Sequence, residues 1–487
     1  MSALPQAAQP DDMFDGPYYL SIAGTLIESK STFDVMNPAT GEVLAKAPAA
    51  TAEQLDEAVA AAKAAFKAWS ALGYERRQAY LNAYADALQA HRDELARLLT
   101  QEQGKPLKTM AEPEVDQSIS WIRQIAARRI PVEIVEETAD HIVELHHTPL
   151  GVIGAITPWN FPVLLALWKV APALITGNTM VIKPSPFTPL STLRFGQIAQ
   201  SVLPPGVLSV VSGGNELGPQ MTEHPDIAKI SFTGSTATGK AVVRSAIETI
   251  KRVTLEMGGN DAAIVLPDAD YKTIIPQLFW GAVGNSGQWC VGIKRLYVHS
   301  SFHQDFVQAF VDYAKQQKLG DGLDPEVTVG PVQNKMQFDK VRTFLDDIKA
   351  NGHKIALGGE IDKGRPGYFI PVTVVDNPPE NSKIVQEEQF APIVPIIAYD
   401  DVEDVIERAN DSPFGLGGSV WGRDTQVAVA VANRLETGMV WVNEMHTQGV
   451  DIPFGGHKQS GLGTEHGNEG RQLFTNAKTI LIRKPSK

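Results

Sequence analysis

The sequence predicts an α/β protein with two parallel-sheet domains, on three observations. From Thr148 onward, short β-rich runs alternate with helical stretches. A second alternating series follows nearer the C-terminus, and the tail Thr479–Ile482 is β-prone and belongs to neither series. Alternation of this kind marks β-α-β units and a parallel sheet.

Taken in order, the elements support that reading. The segment Thr51–Ser70 opens on Thr-Ala-Glu-Gln, the form of a capping box, and continues with Leu55, Val59, Ala62, Phe66 and Trp69 at helical spacing. Arg76–Gln101 is expected to be one further long amphipathic helix, and Glu114–Ala127 another. The first β series is Val152–Ile156, Thr179–Ile182, Leu208–Val211, Lys229–Phe232 and Val253–Leu255. In the second series, helical Gln304–Gln317 and Phe338–Asn351 precede strand-like Pro392–Ile397 and Met439–Val442. The run His141–His147 links or flanks the two domains, and the tail is free to pair with another element or another subunit.

Composition narrows the function. The chain has 487 residues with a net charge of −13, so an acidic surface disfavours nucleic acid and anionic membranes. The N-terminus lacks the basic start and apolar core of a secretory leader, and no apolar run approaches the roughly 18 residues of a spanning helix. The one cysteine, Cys290, excludes an internal disulfide and a four-cysteine metal site, and no metal is expected. A cytosolic enzyme is the default. A lone cysteine is by itself most simply a small buried hydrophobe, so its meaning depends on its neighbours.

Six stretches carry candidate chemistry. Two glycine turns, Ser212–Gly218 and Phe232–Lys240, follow expected strands and suit a close approach to a pyrophosphate, although neither matches the full dinucleotide fingerprint. Lys183 stands just after a buried strand, where ligands of open parallel sheets sit. Glu256, between Leu255 and Met257 and before Gly258-Gly259, is a carboxylate in an apolar setting that favours a general base. Asn160, in Pro158-Trp159-Asn160-Phe161-Pro162, offers a neutral amide donor for an oxyanion. Glu388 and Phe390 are expected to share one side of an extended segment, an acid for a ribose and a ring for a nicotinamide.

Together these stretches resemble the aldehyde dehydrogenase superfamily from about residue 20 to the C-terminus. The matching motifs are Thr157–Pro162, Phe232–Thr236, Leu255–Gly259, Gly287–Cys290, Glu387–Phe390 and Pro453–Gly456, in the family's order and approximate spacing. The resemblance implies two open Rossmann-like domains plus a small β oligomerisation arm. A dinucleotide-binding domain is expected at 15–126 and 149–258, a catalytic domain at 259–459, and the arm at 127–148 and 474–487.

The roles it implies are specific. Cys290 attacks the aldehyde, Asn160 and the Cys290 backbone N–H hold the oxyanion, and a thiohemiacetal becomes a thioester. Glu256 activates the water that hydrolyses the thioester, and Glu465 corresponds to a glutamate proposed for proton relay. The cofactor contacts are Thr157, Pro158, Trp159, Lys183, Ser185, Gly213, Phe232, Gly234, Ser235, Glu256, Met257, Glu388 and Phe390. The aldehyde tunnel is lined by Phe161, Leu164, Leu165, Trp168, Trp289, Val291, Met445, Thr447, Gln448 and Phe454. That set is apolar and aromatic without an arginine for a substrate carboxylate, which favours medium-chain aliphatic or aromatic aldehydes. His446 and Gln448 are polar enough to meet a hydroxyl.

The sequence also departs from the usual family pattern. Pro186 stands where many NAD-preferring members have a glutamate, which removes one obstacle to a 2′-phosphate. No arginine rewards that phosphate either, so NAD is expected and NADP stays open. Asn260-Asp261 replaces a commoner lysine, and Ala391 a glycine. A homodimer or homotetramer is expected. Acyl transfer to coenzyme A, or a silent structural relative, are the competing readings.

Overall fold

The computed structural model describes Phe14 and residues 16–485. The expectation of no leader, and the outermost domain bounds at 15 and 486–487, lie outside the described residues.

The capping box forms as its sequence requires. Thr51 Oγ1 accepts from Gln54 N–H at 3.3 Å, Gln54 Oε1 accepts from Thr51 N–H at 3.0 Å, and the helix runs Ala52–Ala71. The expected single helix Arg76–Gln101 is instead two, Tyr74–Ala90 and Arg92–Gln103, broken at buried His91. Asp93 and Glu94 fall in the first turn of the second helix, where its N-terminal dipole favours acid. Arg92 turns outward to Asp116, 2.7 Å away on the helix Glu112–Ala126.

All five runs of the first β series are strands of one eight-stranded sheet. Its centre is parallel, in the order Leu208–Val210, Thr179–Lys183, Val152–Ile156, Ile227–Thr233 and Arg252–Glu256. Thr179–Lys183 is buried at every position, as a parallel strand covered on both faces should be. Two antiparallel strands, Leu20–Ile22 and Thr25–Ile27, finish one edge. At the other edge Gly461–Leu462 pairs antiparallel with Leu255 and Glu256. This last strand comes from beyond the bounds expected for that domain.

The second sheet has seven strands, in the order Lys354–Leu357, Thr373–Asp376, Ile393–Tyr399, Ile293–His299, Asp261–Val265, Gly417–Trp421 and Met439–Val442. Only its first pair is antiparallel. The helices expected at 304–317 and 338–351 run His303–Ala314 and Lys335–Ala350. The tail becomes the strand Thr475–Arg483, paired along its length with His141–Pro149, which in turn pairs with Glu133–Glu137. Among the described residues no helix is long and apolar enough to cross a membrane.

Candidate active site

The nucleophile segment is held in an unusual backbone path. Asn285, Ser286 and Gly287 adopt left-handed φ values of 51°, 57° and 72°. For the first two, which carry a Cβ, this is strained backbone that persists only when its surroundings fix it. The fixing bonds are present. Ser286 Oγ donates to Gly330 O at 2.8 Å, Gln288 Nε2 to Asn285 O at 3.0 Å, and Gln333 N–H to Gln288 Oε1 at 2.8 Å. At Gly287 a Cβ would fall 2.2 Å from Ala391 O, so a side chain there is excluded as well.

Asn160 is tied to the same segment. Its side-chain Nδ2 donates to Gln288 O at 3.0 Å, and an amide nitrogen carries a second hydrogen for another acceptor. Its backbone carbonyl accepts from Lys105 Nζ at 2.8 Å and Asn285 Nδ2 at 3.0 Å. Lys105 is buried and bonds buried Glu114. The other oxygen of Glu114 accepts from Val163 N–H at 3.1 Å and Leu164 N–H at 3.2 Å, capping the helix Pro162–Ile175. The Asn160 turn, the start of that helix and the nucleophile segment therefore form one hydrogen-bonded unit.

Cys290, Glu256 and Glu465 all line a cavity of ≈ 210 Å³. Cys290 is partly exposed. Burial among apolar groups pushes its thiol up to about 12, against the opposing pull of Lys294. Glu256 is 4% exposed and neither carboxylate oxygen has a hydrogen-bond partner. Burial, then the charge of Glu465, holds its carboxyl well above the usual range, with Lys169 opposing. For Glu465 burial also pushes upward, but Lys169, His466 and Lys229 outweigh it and hold the carboxyl below the usual range. Lys169 Nζ donates to Glu465 Oε1 at 2.7 Å, with both side chains buried.

Lys105, Glu114 and Lys169 were not among the residues singled out from sequence. Lys169 had a signal: it is the one ionisable residue in the apolar helix Pro-Val-Leu-Leu-Ala-Leu-Trp-Lys-Val-Ala-Pro-Ala-Leu-Ile. A charge in such a stretch is buried and therefore paired.

Of the expected tunnel residues, Phe161, Leu164, Leu165, Trp168, Trp289, Gln448 and Phe454 line the cavity. Val291, Met445 and Thr447 do not. Val291 is fully buried and its carbonyl meets His446 Nε2 at 3.1 Å. Met445 packs toward Gly281. Both lie next to a wall residue in sequence, and the turn at His446, with φ 69°, presents that ring to the cavity instead. His446 stacks on Trp289 at 3.9 Å, and burial lowers it to about 4, so the ring is neutral near pH 7. The cavity lining also includes Thr109, Met110, Pro113 and Gln117, from the π-turn Leu107–Ala111 and the helix after it.

The expected cofactor residues gather at the carboxyl ends of the first sheet's strands and across from them. Lys183 ends its strand 4% exposed, and the hydrogen bond from its ammonium runs only to Pro184 O at 3.4 Å. Burial lowers it to about 8, with Glu216 acting in the opposite sense. Thr157 N–H donates to Lys183 O at 3.2 Å, and the Thr157 hydroxyl is buried without a partner. Ser185 Oγ accepts from Phe187 N–H, and Gly213 packs on Leu217. Ser235 caps the helix Thr236–Ala246, accepting from Thr238 N–H at 3.3 Å, with Gly234 against the Phe232 ring and Met257 under Gly239.

Glu388 Oε1 accepts from Gly259 N–H at 3.1 Å, and a Cβ on Gly258 would strike its other oxygen. The double glycine therefore leaves room for this carboxylate. Phe390 stands edge-on to Trp159 at 5.4 Å. Its φ of 52° means the segment is not extended as expected, yet Lys294 faces both Glu388 and Phe390. A near-unpartnered ammonium, a carboxylate with one oxygen free and the N-terminus of the helix Thr236–Ala246 fit the hydroxyls and phosphates of a dinucleotide.

An α/β chain whose sole thiol and a buried carboxylate open on one apolar cavity has the parts of a covalent-catalysis enzyme. The aldehyde dehydrogenase family model matches residues 26–480. The putative aldehyde dehydrogenase FUS7 of Gibberella fujikuroi is 40% identical over 467 residues, 96% of this chain and 99% of that protein. The aldehyde dehydrogenase LUC3 of a Fusarium species is 39% identical over 464 residues, 95% of this chain and 98% of that one. Among solved structures, an NAD+ complex of a Bacillus cereus aldehyde dehydrogenase superposes with a TM-score of 0.94 at 35% identity, covering 99% of this chain and 100% of the other. A Staphylococcus aureus betaine aldehyde dehydrogenase in complex with NAD+ gives 0.92 at 35% identity, covering 97% and 96%. The chain belongs to the aldehyde dehydrogenase family.

Proposed function

We propose that the protein oxidises an apolar aldehyde, medium-chain aliphatic or aromatic, to the carboxylic acid by way of a thioester on Cys290, using NAD. The observation that carries this is the shared cavity: Cys290 and Glu256 both line it, and Asn160 is bonded to the carbonyl two residues before the thiol.

Cys290, having lost its proton, attacks as the thiolate: Sγ forms the new bond to the aldehyde carbon, the C=O π bond opens, and the carbonyl oxygen takes the negative charge. The free hydrogen of the Asn160 amide and the Cys290 N–H hold that oxygen. When bound, the dinucleotide supplies the hydride acceptor. Lys183 and Glu388 would hold its two ribose ends, and Gly213, Gly234 and Ser235 its phosphates. Glu256 then removes a proton from the water that attacks the thioester, the C–S bond breaks, and Cys290 is released as thiolate. Glu465, paired with Lys169, stands on the same wall to pass the proton onward. Asn160→Ala is expected to lower kcat by about 10²–10³-fold through loss of one oxyanion donor, measured as steady-state NADH formation.

The pH dependence follows from the two raised groups. A base acts only when ionised, and both Glu256 and Cys290 keep their protons to higher pH than usual. The active forms therefore accumulate on the alkaline side. Activity is expected to climb from neutral pH upward, and a profile falling above pH 7 with the protein still folded would refute the assignment.

NAD is favoured over NADP because Glu216 lies near enough to act on Lys183, and a 2′-phosphate brought to that ammonium would meet a carboxylate as well. The 15–126 and 149–258 unit would bind the dinucleotide and the 259–459 unit carry the thiol. The arm, at 127–148 and 474–487, exposes Val132, Ile134, Val135, Leu481 and Ile482, which supports association into a dimer or tetramer in the cytoplasm. Sedimentation showing only monomer at micromolar concentration would reject that association.

The test of function is absorbance at 340 nm across straight-chain, aryl, indolic and carboxylated aldehydes, each with NAD and with NADP. Rates that rise with chain length or with an aromatic ring, and fail on carboxylated substrates, are expected. Acyl-CoA as the main product in the presence of coenzyme A, or no turnover with any aldehyde, would overturn the proposal.

A further inference from the structure

One buried cation bridges two parts of the site that lie about a hundred residues apart in sequence. Lys294, 2% exposed, follows the nucleophile by four residues at the start of the strand Ile293–His299. Its ammonium donates back to Trp289 O at 2.5 Å and to Cys290 O at 2.6 Å. It stands 3.7 Å from Glu388 Oε1 and 5.8 Å from the Phe390 ring centre. The link is reciprocal, because the Gln389 amide donates to Lys294 O at 3.1 Å and to Ile393 O at 2.9 Å. Sequence motifs on both sides were singled out, but this lysine was not.

Two carbonyls accept hydrogen bonds from the ammonium and a carboxylate stands at ion-pair distance, so the side chain is held by the site rather than by solvent. A buried cation needs such partners, and they are drawn from the nucleophile segment and the Glu388 segment. Fixing the Trp289 and Cys290 carbonyls fixes the planes of the peptides that follow Trp289 and Cys290, and the first of those carries the Cys290 N–H.

We propose that Lys294 is a positioning residue that sets the Cys290 loop and the Glu388 carboxylate against one another, and whose charge eases ionisation of the Cys290 thiol. This deepens the proposed function and rests on Cys290 being the nucleophile. The other charges that bear on the thiol, Asp261, Glu256 and Glu388, all oppose its ionisation, and Lys294 is the cation that favours it. Lys340 also faces Glu388, and His446 faces Lys294.

The chain's single cysteine makes the test direct, since alkylation by iodoacetamide, followed by intact mass, reports Cys290 alone. The rate is measured against pH in the wild type, Lys294→Met and Lys294→Gln. Removing the charge is expected to move the profile up by about one pH unit, which is about tenfold slower alkylation at a fixed pH below the midpoint. Lys294→Gln keeps a donor for one carbonyl and decides the matter if Lys294→Met fails to fold. Glu388→Gln, which removes an opposing charge, is expected to move the profile the other way. In each Lys294 variant NAD titrations are expected to show weaker binding.

A folded Lys294 variant with the wild-type alkylation profile would overturn the proposal, because a purely structural lysine would not move that profile. Failure of the underlying reading looks different. In that case Cys290→Ala keeps its turnover, whatever the Lys294 variants do.

Discussion

Cys290→Ala is expected to lose dehydrogenase turnover by about 10⁴-fold or more, the scale seen when a covalent nucleophile is removed, while NAD binding stays near the wild-type level. The size of the effect follows from the inventory. The chain has no second cysteine to take over, and the cavity wall offers no lysine or serine near that position. The small effect on binding follows from the geometry. Lys183, Ser235 and Glu388 owe their positions to the first sheet's strand ends, to a helix cap and to the Gly259 N–H, none of which involves the sulfur. Steady-state NADH formation beside a fluorescence titration with NAD separates the two. Turnover that survives the substitution would refute the nucleophile assignment.

Glu256→Gln is expected to slow deacylation by about 10²–10⁴-fold, the usual contribution of a positioned general base, and to slow acylation far less. Glutamine fills the same volume but cannot take a proton from water. Glu256 sits with both oxygens unpartnered in the cavity wall, so nothing else in its surroundings depends on its charge for a hydrogen bond. The variant should therefore fold normally and accumulate acylated Cys290. In stopped flow this appears as a burst of NADH near one equivalent per site, followed by a slow steady rate. Equal slowing of burst and steady rate would count against the role.

Much of this site was legible because its residues sit in local settings that sequence displays. Glu256 ends a strand between apolar neighbours, Lys183 ends another, and Ser235 opens a helix. What was not legible depends on approach between distant segments. Val291 and Met445 flank true wall residues, and only the left-handed turn at His446 decides which of the neighbours faces inward. The reason for Gly258-Gly259 is a carboxylate 130 and 129 residues away, at Glu388. The helix break at His91 lies beside Arg92, whose ion pair to Asp116 on another helix is a contact that periodicity does not carry. Lys169 shows the opposite case: its apolar helix announced a buried charge, and only its partner, Glu465, needed the fold.

The edge strand Gly461–Leu462 has a consequence for biosynthesis. The first sheet begins near residue 20, but its strand carrying Glu256 gains its outer neighbour only when residue 461 of 487 has been made. Between the synthesis of Glu256 and that of Gly461, a nascent chain carries the Leu255–Glu256 edge without its native partner, a target for wrong pairing with other chains. A chain truncated before Gly461 would leave this edge open, so the strand that carries Glu256 depends on a segment made well after Cys290.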